Sequence, residues 1–262
     1  MKIRFGAWLL ASSWIMAGTA LANAPPVSIE IVDANGQVFR EIPVNARDGA
    51  LRSYLQAEKG ARYQVRVRNT TGERLGLVIA VDGRNIINGA KSVLARSEPM
   101  YVLAPYGTQE YAGWRASLDA INEFYFTDWS DSYAEAFGDR SARGVIAVAV
   151  YGEEAPPLPV ARPYQERERS ADSASEPAAS APPSEKSAGH RSESAGTGYG
   201  DRRIDHAVQV EFVARSNADS RHFIKYEWRE TLCRKHLVEC GEKNRFWDES
   251  TLGFALPPPR RH

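Results

Sequence analysis

The sequence predicts a mainly β protein: an antiparallel β-sandwich or partly closed barrel, followed, after a disordered linker, by a C-terminal β-hairpin with a short helix. Three observations carry this. Between Val27 and Tyr151, short alternating or wholly apolar runs recur between Asn, Asp and Gly turns, the pattern of strands in an all-β domain. From Glu154 to Gly200 the chain turns to Pro, Ser, Ala and Glu, with almost nothing to build a core. Alternation then returns in AVQVEFVAR (207–215) and HFIKYEW (222–228).

Taken in order, Val27 to Val32 (VSIEIV) alternates as a half-buried strand and ends at the turn Asp33-Ala34-Asn35-Gly36. Gln37 to Val44 returns as a second strand, with Pro43 marking an edge because proline has no N–H for a ladder. Leu51 to Lys59 has some helical spacing after an Arg47-Asp48-Gly49 turn. Tyr63 to Arg68 alternates, Asn69 to Glu73 turns, and Leu75 to Val81 reads as a strand buried on both faces. With Asp82-Gly83 turning the chain toward Asn85 to Gly89, this stretch reads as a β-meander. Lys91 to Glu98 is a polar loop. Met100 to Leu103, Thr108 to Arg115 and Asn122 to Thr127 are further strands, the first two separated by Pro105-Tyr106-Gly107. A short helix is expected over Ser130 to Phe137, capped by Asp128 or Ser130 and ended by Gly138. Val145 to Tyr151 (VIAVAVY) is continuously apolar and belongs at the centre of a sheet, near Leu75 to Val81. The total is about eight or nine short strands in roughly 130 residues, which favours a sandwich or barrel.

The domain limits follow: an export signal at 1–22, a β-sandwich at 24–153, a linker at 154–200, and a C-terminal unit at 201–262. The linker cannot bury enough apolar surface to offset the entropy of ordering. Its closing glycines, Gly196, Gly198 and Gly200, read as flexibility. A hairpin and one helix, from Thr231 to about Glu239, are marginal alone. Val208, Val210, Phe212, Ile224, Tyr226 and Trp228 offer more apolar surface than so small a unit can cover, so docking on the first domain is expected. The last residues, PPPRRH, read as an extended tail.

Residues 1–22 have the three parts of a secretory signal: Lys2 and Arg4, an uncharged run from Phe5 to Ala17, and small residues at Ala20-Leu21-Ala22 or Ala22-Asn23-Ala24 suited to cleavage. The alternative is a retained anchor, since the uncharged run approaches the length needed to span a bilayer. No later segment is apolar enough to cross a membrane as a helix. The expected location is periplasmic or secreted. The chain has 33 basic and 33 acidic residues; removing the signal leaves a net charge of about −2, which gives no footprint for nucleic acid or for an anionic membrane. In an oxidising compartment Cys233 and Cys240 are expected to pair. The alternative is a metal site from Cys233, His236 and Cys240, with His222 as a distant fourth ligand.

Catalytic chemistry finds little support. All five histidines (190, 206, 222, 236 and 262) follow the first domain, so no histidine-activated nucleophile forms within it alone. Gly-rich phosphate loops and zinc-protease motifs are not found in the sequence, and no cofactor is expected. Asp128-Trp129-Ser130-Asp131 offers an acid pair beside aromatic residues, as glycan hydrolysis requires. Helix capping and core packing explain the same residues with fewer demands. A binding surface of Tyr125, Trp129 and Tyr133 is the less demanding functional reading. The turn Asp82, Gly83, Arg84 and Asn85 is the candidate interaction loop, because rigid sheets carry binding residues at their tips; its plainer explanation is a tight turn with Gly83 at positive φ. Trp114-Arg115 is expected to bury the indole, with the arginine stacked or paired beside it.

Several motifs recur together: N-T-T-x-x-R at Asn69 to Arg74, V-D-G-x-N-x-I-x-G at Val81 to Gly89, Y-V-L-A-P at Tyr101 to Pro105, G-W-R at Gly113 to Arg115, S-Y at Ser132-Tyr133, G-T-G at Gly196 to Gly198, and Y-x-x-R-E at Tyr226 to Glu230. In this combination the chain resembles exported, proteobacterial-type β-rich proteins to which no activity is assigned. The resemblance implies bacterial export and two ordered parts joined by a tether. The expected function is a non-catalytic binding or assembly role at the cell envelope, toward another envelope protein or an envelope glycan; a glycan-acting hydrolase built on Asp128 and Asp131 is the alternative.

Overall fold

Short β-prone runs cut by tight turns give strands throughout the residues that the computed structural model describes, 25–45, 48–154 and 194–240. The expected export signal, most of the expected linker and the PPPRRH tail lie outside them. In chain order the strands are β1 (Val27–Asp33), β2 (Glu41–Val44), β3 (Leu51–Ala57), β4 (Tyr63–Asn69), β5 (Leu75–Val81), β6 (Arg84–Asn85), β7 (Tyr101–Leu103), β8 (Thr108–Tyr111), β9 (Gly113–Ser117), β10 (Ala120–Glu123), β11 (Phe126–Asp128) and β12 (Val145–Gly152). After the undescribed stretch come β13 (Ala195–Thr197), β14 (Arg202–Ile204), β15 (Ser220–Trp228) and the helix α1 (Arg229–Arg234).

Two sheets share the main core. The smaller has the order β1-β4-β8; the larger runs β2-β3-β15-β12-β5-β6, with β7 also paired to β5. All these pairings are antiparallel except β15 with β3. Alternation in β1 and β4 turns Val27, Ile31, Val65 and Val67 inward, against Leu55, Leu77, Ile79, Val148 and Tyr226 from the large sheet. The outer face of the large sheet has its own cover: Leu94, Met100, Phe212 and Ala214 lie over Val78, Ala80, Ala147 and Ala149. This two-sided burial is why β5 and β12 are apolar at nearly every position, and they lie side by side as their composition predicts. None of the sheets closes into a barrel. Two smaller sheets, β14-β10-β9 and β11-β13, complete the fold.

Several expectations are corrected. Tyr63 to Gly89 is not a meander, because β4 and β5 belong to different sheets. The turn between them carries the chain across the sandwich, held by Asn69, whose amide donates to the carbonyls of Glu73 and Ala104 at 2.7 and 2.9 Å. Leu51–Ala57 is a strand, with Ser53, Leu55 and Ala57 buried at every second position; pairing with β2 and β15 overrides the weak helical spacing. The expected strand Thr108 to Arg115 divides at Ala112 into β8 and β9, in different sheets, and Asn122 to Thr127 divides into parts of β10 and β11. In place of a helix over 130–137 stand two 3-10 turns, Trp129–Asp131 and Glu135–Phe137, neither capped by a side chain; Gly138, at φ 67°, ends the second.

The largest correction concerns the C-terminal part. β15 does not pair with Ala207 to Arg215. It fills the middle of the large sheet, parallel to β3 over His222 to Trp228 and antiparallel to β12 over Ser220 to Lys225. Docking was expected; the segment in fact supplies a central strand. The region 194–200 is likewise part of the fold. An added Cβ at Gly196 would stand 2.6 Å from the Ser132 side chain, and one at Gly198 would stand 2.1 Å from the Tyr125 ring. These glycines permit close approach and do not serve as a hinge. α1 starts at Arg229, two residues before the expected Thr231, with Trp228 at the N-cap position. The Cys233 and Cys240 sulfurs are bonded, with Cα atoms 5.5 Å apart, so they are not free to act as metal ligands.

A candidate binding groove on the open side of the sandwich

The Asp82 turn adopts the expected backbone, with φ of 50° at Asp82 and 82° at Gly83, but it is not a presented tip. Asp82 and Asn85 are buried, and Gly83 and Arg84 are half-buried. The Asp82 carboxylate accepts from the Gly144 N–H at 2.7 Å, the Thr197 N–H at 2.8 Å and the Tyr226 hydroxyl at 2.7 Å. The Thr197 hydroxyl lies 2.7 Å from the Tyr226 oxygen and 2.8 Å from that of Tyr63. Burial raises the Asp82 pKa to about 6. Asn85 donates to the Pro99 carbonyl at 2.9 Å. Arg84 donates to the Gly89 carbonyl at 2.8 Å and lies over the Phe137 ring. Asp82 alone bolts the first part of the chain to β13 and β15, while Arg84 and Asn85 tie the turn to Gly89 and Pro99.

The predicted aromatic surface is only partly a surface. Trp129 is buried, its indole N–H donating to Glu135 at 2.6 Å, and the Arg143 guanidinium lies over its ring. Tyr125 is half-buried against Gly198. Tyr133 packs on Trp114 at 4.3 Å and on two residues that sequence reasoning did not single out, Phe137 at 5.0 Å and Tyr199 at 5.4 Å. Those two are 56% and 50% exposed. The only sequence signal for Tyr199 is its place directly after Gly196-Thr197-Gly198. Asp128 is ion-paired with Lys59 at 2.5 Å and Asp131 is exposed.

A larger concavity lies elsewhere. At the turn Pro105-Tyr106-Gly107, β7 and β8 part into different sheets, and the side of the sandwich between them stays open. The groove there has a volume of about 800 Å³ and is lined by Ile87, Met100, Tyr101, Tyr111, Leu118 and Ile121, among others. Tyr101 and Tyr111 pack with centroids 4.5 Å apart and their planes tilted by 38°. Burial raises both phenol pKa values, so both rings remain neutral. Arg115 behaves as its position beside Trp114 predicts: it donates to the Asp205 carboxylate at 2.5 Å, to the Asp205 carbonyl at 2.7 Å and to the Tyr101 hydroxyl at 3.1 Å. The Trp114 indole N–H donates to the Gly198 carbonyl at 3.0 Å.

Asp205 starts a strap that borders the groove as far as Phe212. The strap is pinned near its start by the Ala207 N–H on the Leu118 carbonyl at 2.7 Å, and near its end by Arg74 on the Glu211 carbonyl at 3.0 Å. Between these pins Val208 and Val210 are 83% and 53% exposed. Alternation in this segment reads as a hairpin arm, and nothing local reveals that its expected partner is taken up by other strands. Comparisons with protein family models, with curated proteins and with solved structures find no match.

Proposed function

We propose that the chain is an exported, non-catalytic protein of the bacterial envelope, periplasmic or secreted, that binds another envelope protein through the groove between β7, β8 and the strap. One observation carries this reading: an open concavity of about 800 Å³ with aromatic and aliphatic residues in its walls and, among the residues that line it, an arginine already neutralised by Asp205. Ligand and partner sites combine this kind of apolar lining with a few fixed polar groups. Exposed Leu118, Val208 and Val210 at the rim extend the apolar surface. The test is a photo-crosslinking residue at Leu118 in the producing cell. The expected result is a discrete adduct with another envelope protein, absent when the probe stands at exposed Glu58; equal labelling from both positions would contradict the reading.

A second reading, binding of an envelope glycan, is favoured by the half-exposed strip of Tyr133, Phe137 and Tyr199. Sugar rings stack on such faces, and the Tyr199 hydroxyl is already fixed by Asn122 at 2.6 Å. Titration of the protein with soluble envelope glycan fragments, followed by intrinsic fluorescence, is expected to show saturable binding that Tyr199→Ala abolishes. Binding unchanged by that substitution would exclude the strip. A hydrolase built on Asp128 and Asp131 gains no support from geometry, because Asp128 is occupied by Lys59.

A further inference from the structure

The strap differs from the other free strand edges. From Asp205 to Val213 the chain makes no turn or bend, and its sequence DHAVQVEFV is rich in residues that favour strands. Yet among the described residues the N–H groups of Val208, Gln209, Val210, Glu211 and Phe212, and the carbonyls of Val208, Gln209 and Val210, have no hydrogen-bond partner. An extended segment with unpaired backbone groups and apolar side chains is a template for another strand, and proteins normally guard such edges with charge or proline. Two other edges here are guarded: β2, at one end of the large sheet, carries Pro43, and β14 carries Arg202 and Arg203. Between Ala207 and Phe212 the strap has neither proline nor lysine nor arginine.

We propose that this strap pairs with the same strap of a second copy of the chain, antiparallel about a two-fold axis through Val210. The sequence is self-complementary in that register. Val208 stands opposite Phe212 of the second copy, Val210 opposite Val210, and Gln209 opposite Glu211, so apolar residues meet on one face and an amide meets a carboxylate on the other. Centring the axis on Glu211 instead would oppose two carboxylates, which destabilises a cross-strand pair. With Val210 opposite Val210 as a hydrogen-bonded pair, the ladder takes up the free N–H groups of Val208, Val210 and Phe212 and the free carbonyls of Val208 and Val210 in both copies, while those of Gln209 and the N–H of Glu211 face the other edge. The interface is isologous. It does not depend on the groove's proposed partner.

The test uses the mature full-length protein. Sedimentation is expected to show the apparent mass doubling as concentration rises. Val210→Pro, which removes an N–H that has no partner within one copy, is expected to abolish the dimer while leaving the melting temperature unchanged. Under mild oxidation Val210→Cys should form a disulfide-linked dimer quickly. Gln209→Cys and Glu211→Cys should do so slowly when separate and quickly when mixed. A monomer at every concentration, or crosslinking of Gln209→Cys alone as fast as Val210→Cys, would overturn the proposal. A Leu118 adduct with a different envelope protein, found together with a monomer in sedimentation, would leave the groove reading intact and overturn this one.

Discussion

Asp82 shows how one buried carboxylate can organise distant segments. It receives two backbone N–H groups and one phenol without exposure to water. An asparagine there cannot accept from both N–H groups with its two terminal atoms, so Asp82→Asn leaves a buried donor unpaired and is expected to cost about 1–3 kcal/mol, read from urea denaturation. The pH dependence adds a sharper expectation. The folded-state pKa of Asp82 is raised to about 6 from 3.8, so the folded chain holds its proton more firmly than the unfolded chain. Its contribution to stability is greatest below the ordinary carboxylate value and is lost as pH rises through about 6. His222 acts in the opposite sense: burial lowers its pKa to about 4 from 6.5, so its contribution is present above 6.5 and is lost as pH falls toward 4. In this window the two slopes oppose each other. Relative to the parent protein, His222→Gln should lose stability as pH rises from about 4 to about 6, and Asp82→Asn should gain it, both followed by denaturation at a series of pH values. The turn at Asp82-Gly83 was legible from residue types alone, as was a buried Trp114 beside a paired Arg115. Their partners were not. Thr197 and Gly198 lie within the expected linker and Asp205 beyond it, and local sequence carries no sign of which remote amide or carboxylate closes a bond.

At the level of elements, a strong local signature gave a strand everywhere except Ala207 to Arg215, and the weakly marked stretch at Leu51–Ala57 became one through its pairing. β1, β4, β5 and β12 follow their apolar pattern because that pattern is the burial pattern. β3 becomes a strand through pairing with β15, from a distant part of the sequence, and its own residues leave the choice open. The glycines that close the expected linker misled for a physical reason: glycine serves both flexibility and close packing, and composition does not separate the two. Gly198→Ala tests the packing role. With the Tyr125 ring 2.1 Å from the added Cβ, it is expected to destabilise by about 1–3 kcal/mol, seen as a lowered urea midpoint; a neutral result would restore the reading of these glycines as flexibility. The Cys233–Cys240 bond closes a short loop, with a sequence separation of 7. Removing it with a Cys233→Ser, Cys240→Ser pair is expected to cost about 2 kcal/mol. The loss should be confined to α1 and the residues after it, with hydrogen exchange in β15 unchanged.

Over the whole molecule, the described residues up to 154 do not make a finished sheet by themselves. β15 enters between β3 and β12 with ladders on both sides, β13 pairs with β11, and Thr197 and Tyr226 complete the network around Asp82. The sequence predicted two ordered parts joined by a tether, and the break in composition at residue 154 made that boundary natural. The structure instead joins both parts in one core, and this same arrangement sets the strap beside the groove. The central claim is that residues 194–240 are an integral layer of the fold and not a separate unit. The most direct measurement places a specific protease site between 155 and 193 of the full-length protein, cleaves it and follows the product by gel filtration. The two fragments are expected to travel as one particle with unchanged circular dichroism and to separate only in denaturant. Fragments that separate in native buffer, with the first retaining its folded spectrum alone, would contradict the account.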